Sequence, residues 1–251
     1  MDDKAVLWLP DADSTHSAGR SLARCFYSRP VTVFLRGELG AGKTTFIQGL
    51  GFGLGLLDAL ASPTYALEQR YPLPSNEEFL HIDLYRLDRK SADDLIASSD
   101  GFCGIRCIEW AERMSSYGGE RTIDVLLQED RGGRRLEIVF RDLMIPAASA
   151  VEAWRDDVAL PRHIRDHCDA VAELSRVFAD ALLQRGVILR PLVLKRAAEL
   201  HDLFRFLDFR PGAAPDGIED DPREAAVHVQ WKTTFMGLRH EPACAKFLRE
   251  R

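Results

Sequence analysis

The stretch VFLRGELGAGKTTFIQGL, residues 33–50, decides the fold of the first half of the chain. Gly37, Gly42, Lys43 and Thr44 satisfy the spacing GxxxxGK followed by Ser or Thr. The match sits after an apolar run with strand character, VTVFLR (31–36), and before a helical pattern at 43–54, the context this loop requires. Glycines there let the backbone curl so that successive N–H groups and the positive end of the next helix face phosphate oxygens. Glu38, Leu39, Gly40 and Ala41 make up the loop between the two defining glycines, and Thr45 continues the helix. The pattern sets Lys43 to bridge the β- and γ-phosphates and the Thr44 hydroxyl to bind magnesium. A nucleotide site in an α/β domain is the expectation.

Working outward, strand-like runs AVLWL (5–9), EFLHIDLY (78–85), IRCIEW (105–110), IDVLLQ (123–128) and RLEIVF (135–140) join helical patterns at 14–28 and 92–98. RGGRR at 131–135 reads as a solvated hairpin turn between the last two runs. After MIPAASA (144–150) the strand runs stop, and from Arg155 apolar residues recur at three and four, so this half is expected to be helical. The texture divides the chain into domains 1–147 and 148–251. VAELSRVFADALLQRG (171–186) ends on Gly186, a helix stop, and RPLVLKRAAELHDLFRFL (190–207) predicts the next helix, with Pro191 near its start. FRPGAAPDGIEDDP (209–222) reads as a loop.

Composition agrees with two ordinary cores, since 251 residues with 46% hydrophobic and 29% charged side chains match soluble globular proteins. The net charge of −6 is shared by two halves that are both acidic, which excludes a nucleic-acid clamp. No apolar run approaches the roughly 18 residues of a membrane helix, and MDDKAVLWLP is acidic where a secretory signal is basic; a cytoplasmic protein is expected. Five cysteines form no disulfide framework. Cys103 and Cys107 have the spacing of half a zinc site, but no second close pair accompanies them.

A phosphate cradle needs acids at the carboxyl ends of neighbouring parallel strands. EFLHIDLY closes near Asp83, and IRCIEW closes on Glu109 and Trp110. One carboxylate can hold the magnesium shell while the other holds metal or orients the attacking water. Taken in order and spacing, GELGAGKTTFIQGL, ASPTYALEQRY, HIDLYRL and IEWAER resemble the TsaE family over about residues 5–142. The resemblance implies a small P-loop ATPase of tRNA threonylcarbamoyladenosine biosynthesis that uses ATP and Mg2+. It further implies TsaB and TsaD proteins as partners, tRNA as an indirect partner, and no membrane. By that resemblance Lys43, Asp83 and Glu109 are catalytic, Thr44 binds phosphate and magnesium, and Thr64 lies in a switch-like SPTY. Thr15 and Arg134 match positions near the nucleotide. RKSADDLIASSDGFCGIRC (89–107) departs from the family, being longer and more polar than its usual acidic helix, so the resemblance does not carry the family's partner contacts onto this segment.

In the second half, HIRDHCDAVAELSRVFADAL (163–182) followed by LVLKRAAELHDLFRF (192–206) resembles the start of an HD-type metal phosphohydrolase, an all-α fold. The resemblance implies that His167 on one helix and the dipeptide His201 and Asp202 in a later one converge on a second divalent metal that activates water. His163 lies one turn before His167 and has the spacing to chelate with it, but without the glutamate of a zinc protease. His240 resembles a later histidine of such domains. HD domains usually complete the set with a distal aspartate, and the sequence ends at Arg251 before one is met. Two readings stand: a partner-gated ATPase of tRNA modification, or a nucleotide-regulated phosphohydrolase whose chemistry lies in the helical half. A generic P-loop kinase is a third and weaker reading, because the sequence shows no obvious arginine-rich lid or acceptor pocket.

Overall fold

The near-continuous apolar run of VTVFLR places β2 (Val31–Arg36) inside a sheet covered on both faces. In a computed structural model that describes residues 3–56, 60–209 and 222–251, the chain forms two units. One comprises the described residues through Met144 together with 179–191; the other comprises Ile145–Phe178 and the described residues from Leu192 onward. The texture of the sequence puts the division at 147/148. Segment 179–191 belongs to the α/β unit because Leu183 and Ile188 pack into that unit's core and Arg190 is buried there.

The α/β unit carries a seven-stranded sheet in the order β1-β7-β6-β2-β5-β4-β3. Its other strands are β1 (Asp3–Leu9), β3 (Glu68–Pro72), β4 (Glu78–Asp83), β5 (Ile105–Glu109), β6 (Thr122–Asp130) and β7 (Gly133–Phe140). β2 pairs in parallel with β5 and β6, and β4 with β5; β1, β3 and β7 pair antiparallel. Each run read as a strand in the sequence is one. β3 is an addition, because EQRYP is polar and ends on a proline, as a sheet-edge strand tolerates. The hairpin between β6 and β7 turns through Arg131 (φ 50°) and Gly132 (φ 79°), the two positive φ angles of a tight type I′ turn.

Alternation along the strands sorts the core into two faces. Val33, Leu35, Phe79 and Cys107 pack with α1 (Ala12–Leu22) and α2 (Lys43–Gly53), whereas Phe34, Leu80, Ile82 and Ile108 pack with α3 (Arg89–Ser98). His81 and Asp83 continue the Phe79 face, and Glu109 continues the Cys107 face. The two helices on that face touch backbone to backbone. A Cβ on Gly19 of α1 would strike the carbonyl of Phe46, and one on Gly49 of α2 would strike that of His16. Asp11 starts α1 by accepting from the Ser14 amide at 2.7 Å.

At the opposite end of the sheet from the glycine-rich loop, Arg190 enters between Asp3 and Asp142. Its Nε donates to Asp3 Oδ2 at 2.8 Å and its Nη1 to Asp142 Oδ2 at 3.0 Å, with all three side chains buried. The guanidinium lies over the Phe140 ring, 4.6 Å from its centroid. Burial pushes the Asp142 carboxyl above its ordinary range, and the Arg190 charge opposes that shift. Ile188 donates its amide to Ser21 Oγ at 2.8 Å, tying the same segment to α1.

The helical unit contains α4 (Ala148–Asp157), most of α5 (Arg162–Gln184), α6 (Pro191–Leu200), α7 (Pro222–Thr234) and α8 (His240–Arg249). Its core is aromatic: the Phe204 ring meets Phe206, Trp231, Phe235 and Phe247 at centroid distances of 5.0 to 5.9 Å. Arg155 is buried beside it, donating to the Glu199 carbonyl at 2.9 Å and to Asp169 at 2.8 Å. α6 is shorter than the helix expected over 190–207, for it ends at Leu200, where the His201 ring takes the Ala198 carbonyl at 2.8 Å. The loop read over 209–222 falls almost wholly outside the described residues. Among the described residues, no helix is long and apolar enough to cross a membrane.

Candidate nucleotide site and histidine cluster

Gly37, Gly40 and Gly42 all have positive φ, at 140°, 81° and 102°. A Cβ on Gly37 would strike the Leu127 carbonyl, so this turn takes glycine alone. Gly42 precedes α2 in a left-handed conformation, and no side chain caps the helix, which leaves its first N–H groups to a ligand. Glu38, Leu39 and Gly40 form an exposed tip, Ala41 is buried, and Thr45 is half-buried in the first turn of α2. Arg134 Nε donates to the Ala41 carbonyl at 3.0 Å, and a Cβ on Gly42 would lie 3.3 Å from both Arg134 and Thr15. Thr15 is itself buried, its hydroxyl spent on the Asp11 carbonyl at 2.9 Å. The structure therefore brings Thr15 and Arg134 to the loop's helix side.

Lys43 is buried, and its ammonium donates to the carbonyls of Gly37 at 2.7 Å and Glu38 at 2.9 Å. It also sits 3.6 Å from the centroid of the Trp110 ring. Burial lowers its pKa, while Glu109, Glu112 and Asp83 act in the opposite direction. Trp110 holds this place with φ 62°, a left-handed conformation uncommon outside glycine, and packs on Tyr85 at 4.8 Å.

Asp83 and Glu109 are register partners at the ends of β4 and β5. The Thr44 hydroxyl donates to the Glu109 carboxylate, 3.0 Å from Oε1 and 3.1 Å from Oε2. Asp83 accepts from the Thr64 hydroxyl at 2.7 Å, from Ser62 at 3.4 Å and from the Tyr85 amide at 2.8 Å. A hydroxyl and two carboxylates beside open amides form a hard-oxygen donor set, which fits magnesium on a nucleotide. A separate pocket of about 350 Å3 flanks Gly37 and Glu38. Its lining includes Glu38, Glu129 and Asp130 against Arg135, a poor place for phosphate.

Two polar residues of this region carry no role in the sequence reading. His81 is fully buried, and its Nε2 lies 2.9 Å from Glu109 Oε1. Ser62 joins Thr64, oxygen to oxygen, at 2.7 Å. The signal for His81 was the strand period, since a histidine two residues before Asp83 shares its face. Cys107, in register with His81, is buried, and burial pushes its thiol well up. Cys103 is exposed, and among the described residues neither cysteine joins a cluster of metal-ligating side chains.

In the helical unit, ligand atoms of His167, His201 and Asp202 lie within 4.8 Å of one another. His167 is on α5, but His201 and Asp202 occupy the turn after α6 rather than a helix. The contact of His201 Nδ1 with the Ala198 carbonyl leaves Nε2 facing Asp202 at 3.7 Å. His240 approaches from α8, its Nε2 3.3 Å from Asp202 Oδ1 and its Nδ1 2.6 Å from Asp208 Oδ2. Hydrogen bonds from His240 and Arg239 hold the Asp208 carboxyl below its ordinary range although burial acts to raise it. His163 is turned to the Phe209 ring, centroids 6.1 Å apart, and is not one of the three clustered residues.

A glycine cradle, a lysine at the head of a helix, and acids at adjoining strand ends define a P-loop nucleotide-binding protein. The family model described as threonylcarbamoyl adenosine biosynthesis protein TsaE matches residues 9–136. The chain belongs to the TsaE family. Its relatives include tRNA threonylcarbamoyladenosine biosynthesis protein TsaE of Nostoc sp., 37% identical over 144 residues that make up 55% of this chain and 87% of the relative. The protein of the same description from Synechocystis sp. is 34% identical over 118 residues, 45% of this chain and 74% of the relative. The crystal structure of Bacillus subtilus YdiB aligns at TM-score 0.42 and 21% identity, covering 56% of this chain and 88% of that one.

Proposed function

We propose that the α/β unit binds ATP with Mg2+ and hydrolyses it in the biosynthesis of threonylcarbamoyladenosine on tRNA, acting with TsaB- and TsaD-family proteins. The observation that carries this reading is the Thr44–Glu109 hydrogen bond beside Asp83, which sets three oxygen donors at the head of α2. Lys43 exchanges the carbonyls of Gly37 and Glu38 for the β- and γ-phosphates, with Trp110 fixing the other side of its ammonium. Thr44 and Asp83 would hold the metal, and Glu109 would hold it or orient the attacking water. Magnesium, when bound, supplies neutralisation of the charge on the phosphates. Arg134 and Thr15 position the nucleotide from the α1 side, and Thr64 reports on the site through Asp83. Purified chain should hydrolyse ATP slowly alone and faster with TsaB- and TsaD-family partners. Absence of turnover in both conditions would sink this reading.

A second reading concerns the helical unit, taken as an HD-like domain over 148–251: a divalent-metal phosphohydrolase or a regulatory module. The clustering of His167, His201 and Asp202 favours it, and Asp208 gives His240 the orientation of a fourth ligand. Elemental analysis of the chain after loading with manganese should find about one metal per chain. Full retention of that metal in His201→Ala would exclude the site.

A further inference from the structure

A buried histidine ordinarily satisfies both ring nitrogens, and His81 satisfies one. Its Nε2 is 2.9 Å from Glu109 Oε1, whereas its buried Nδ1 has no hydrogen-bond partner. That asymmetry sets the tautomer. With the proton on Nδ1, a buried donor would be orphaned and the Nε2 lone pair would face a carboxylate oxygen; with the proton on Nε2, one hydrogen bond forms and only a lone pair goes unmatched. Packing alone gives no reason for the ring, because Phe79 and Cys107 beside it on this face are apolar and leucine would serve. Nε2–H therefore acts on Glu109.

Glu109 has two side-chain donors, the Thr44 hydroxyl, shared between both carboxylate oxygens, and His81, on Oε1 alone. A hydroxyl carries both a proton and lone pairs, so Thr44 would turn a lone pair to magnesium with its proton still on Glu109. His81 is the second side-chain donor on that carboxylate, and unlike Thr44 it is not one of the proposed magnesium ligands. We infer that His81 is a positioning residue for ATP hydrolysis: by holding Oε1 of Glu109 it fixes the orientation of that carboxylate beside Thr44 and Asp83. This inference rests on the proposed ATPase reading. The ring lies on the same sheet face as Asp83 and Glu109, so no loop has to move for the clamp to work.

The test compares His81→Leu, which removes the donor and keeps an apolar filling, with His81→Gln, whose amide nitrogen reaches near the Nε2 position. In ATPase assays with partners, His81→Leu should lose about tenfold to a hundredfold in kcat with KM changed less than about twofold, and His81→Gln should regain most of the loss. In a Glu109→Gln background, His81→Leu should add nothing further. Equal losses in Leu and Gln variants, or wild-type turnover in His81→Leu, overturn the inference. Two readouts need no turnover and separate this inference from the ATPase reading. Nitrogen NMR of the free protein should show His81 protonated on Nε2, and the opposite tautomer overturns the clamp. Calorimetric titration with ADP should give equal affinities for wild type and His81→Leu in EDTA, and a smaller gain on adding Mg2+ for the variant; an unchanged gain counts against it. Should the wild type fail to hydrolyse ATP with or without partners, the ATPase reading falls, while tautomer and magnesium linkage still decide the role of His81.

Discussion

The two units assemble polar sites by different means. In the α/β unit, Asp83 and Glu109 meet because parallel register aligns the ends of β4 and β5, and the head of α2 delivers Lys43 and Thr44 beside them. In the helical unit, His167, Asp202 and His240 come from α5, a turn and α8, and only packing around Phe204 brings them together. Sheet register is a local rule that sequence period reveals, whereas helix packing is a global result. A site of the first kind is insensitive to distant core changes that would disperse one of the second.

The sharpest way to break that contrast is Phe204→Ala. Loss of a ring enclosed by four aromatic neighbours should cost the helical unit roughly 3 to 5 kcal/mol, read as a lower denaturant midpoint of its unfolding. Nucleotide affinity should survive; if it falls with the helical core, the two sites are not independent. Arg190→Ala is the converse and should destabilise the α/β unit by about 3 kcal/mol, since Asp3 and Asp142 are left buried without their cation. Unfolding followed by residues of each unit separately would show which transition moves, and movement of the helical transition alone would contradict the assignment of 179–191.

Smaller effects concern chemistry rather than folding. Glu109→Ala should lower partner-stimulated turnover by about a hundredfold while nucleotide still binds, because the backbone cradle is intact. Normal turnover would remove Glu109 from the mechanism. Lys43→Ala should weaken ATP binding about tenfold, the size of one charge-assisted contact, with the unfolding midpoint nearly unchanged. Calorimetry on the variant decides this, and undiminished affinity would remove the phosphate role of Lys43.

What was legible follows the same divide. The loop at 37–44, six of the strands and the two acids were readable because glycine spacing and alternation are enforced residue by residue. β3 was not, since a polar edge strand has no buried face to pattern. His81 was hidden by its apolar surroundings, where an imidazole reads as one more core residue until its contact with Glu109 is seen. The turn at His201 and Asp202 was read as helix, because the apolar spacing of Leu203, Phe204 and Phe206 continues past the point where the backbone stops being helical. Segment 179–191 looked like part of the helical array, and no local pattern announces that Arg190 neutralises acids more than forty positions away.

That last contact changes what counts as the smallest autonomous piece. A gene cut after residue 147 would contain every strand of the described sheet and the whole length matched by the family model, 9–136, yet it would encode Asp3 and Asp142 without Arg190 and a core stripped of Leu183 and Ile188. The heritable module and the folding module are therefore different objects. A faithful minimal version is discontinuous and needs residues 179–191 supplied again, either through a short linker or as a separate peptide.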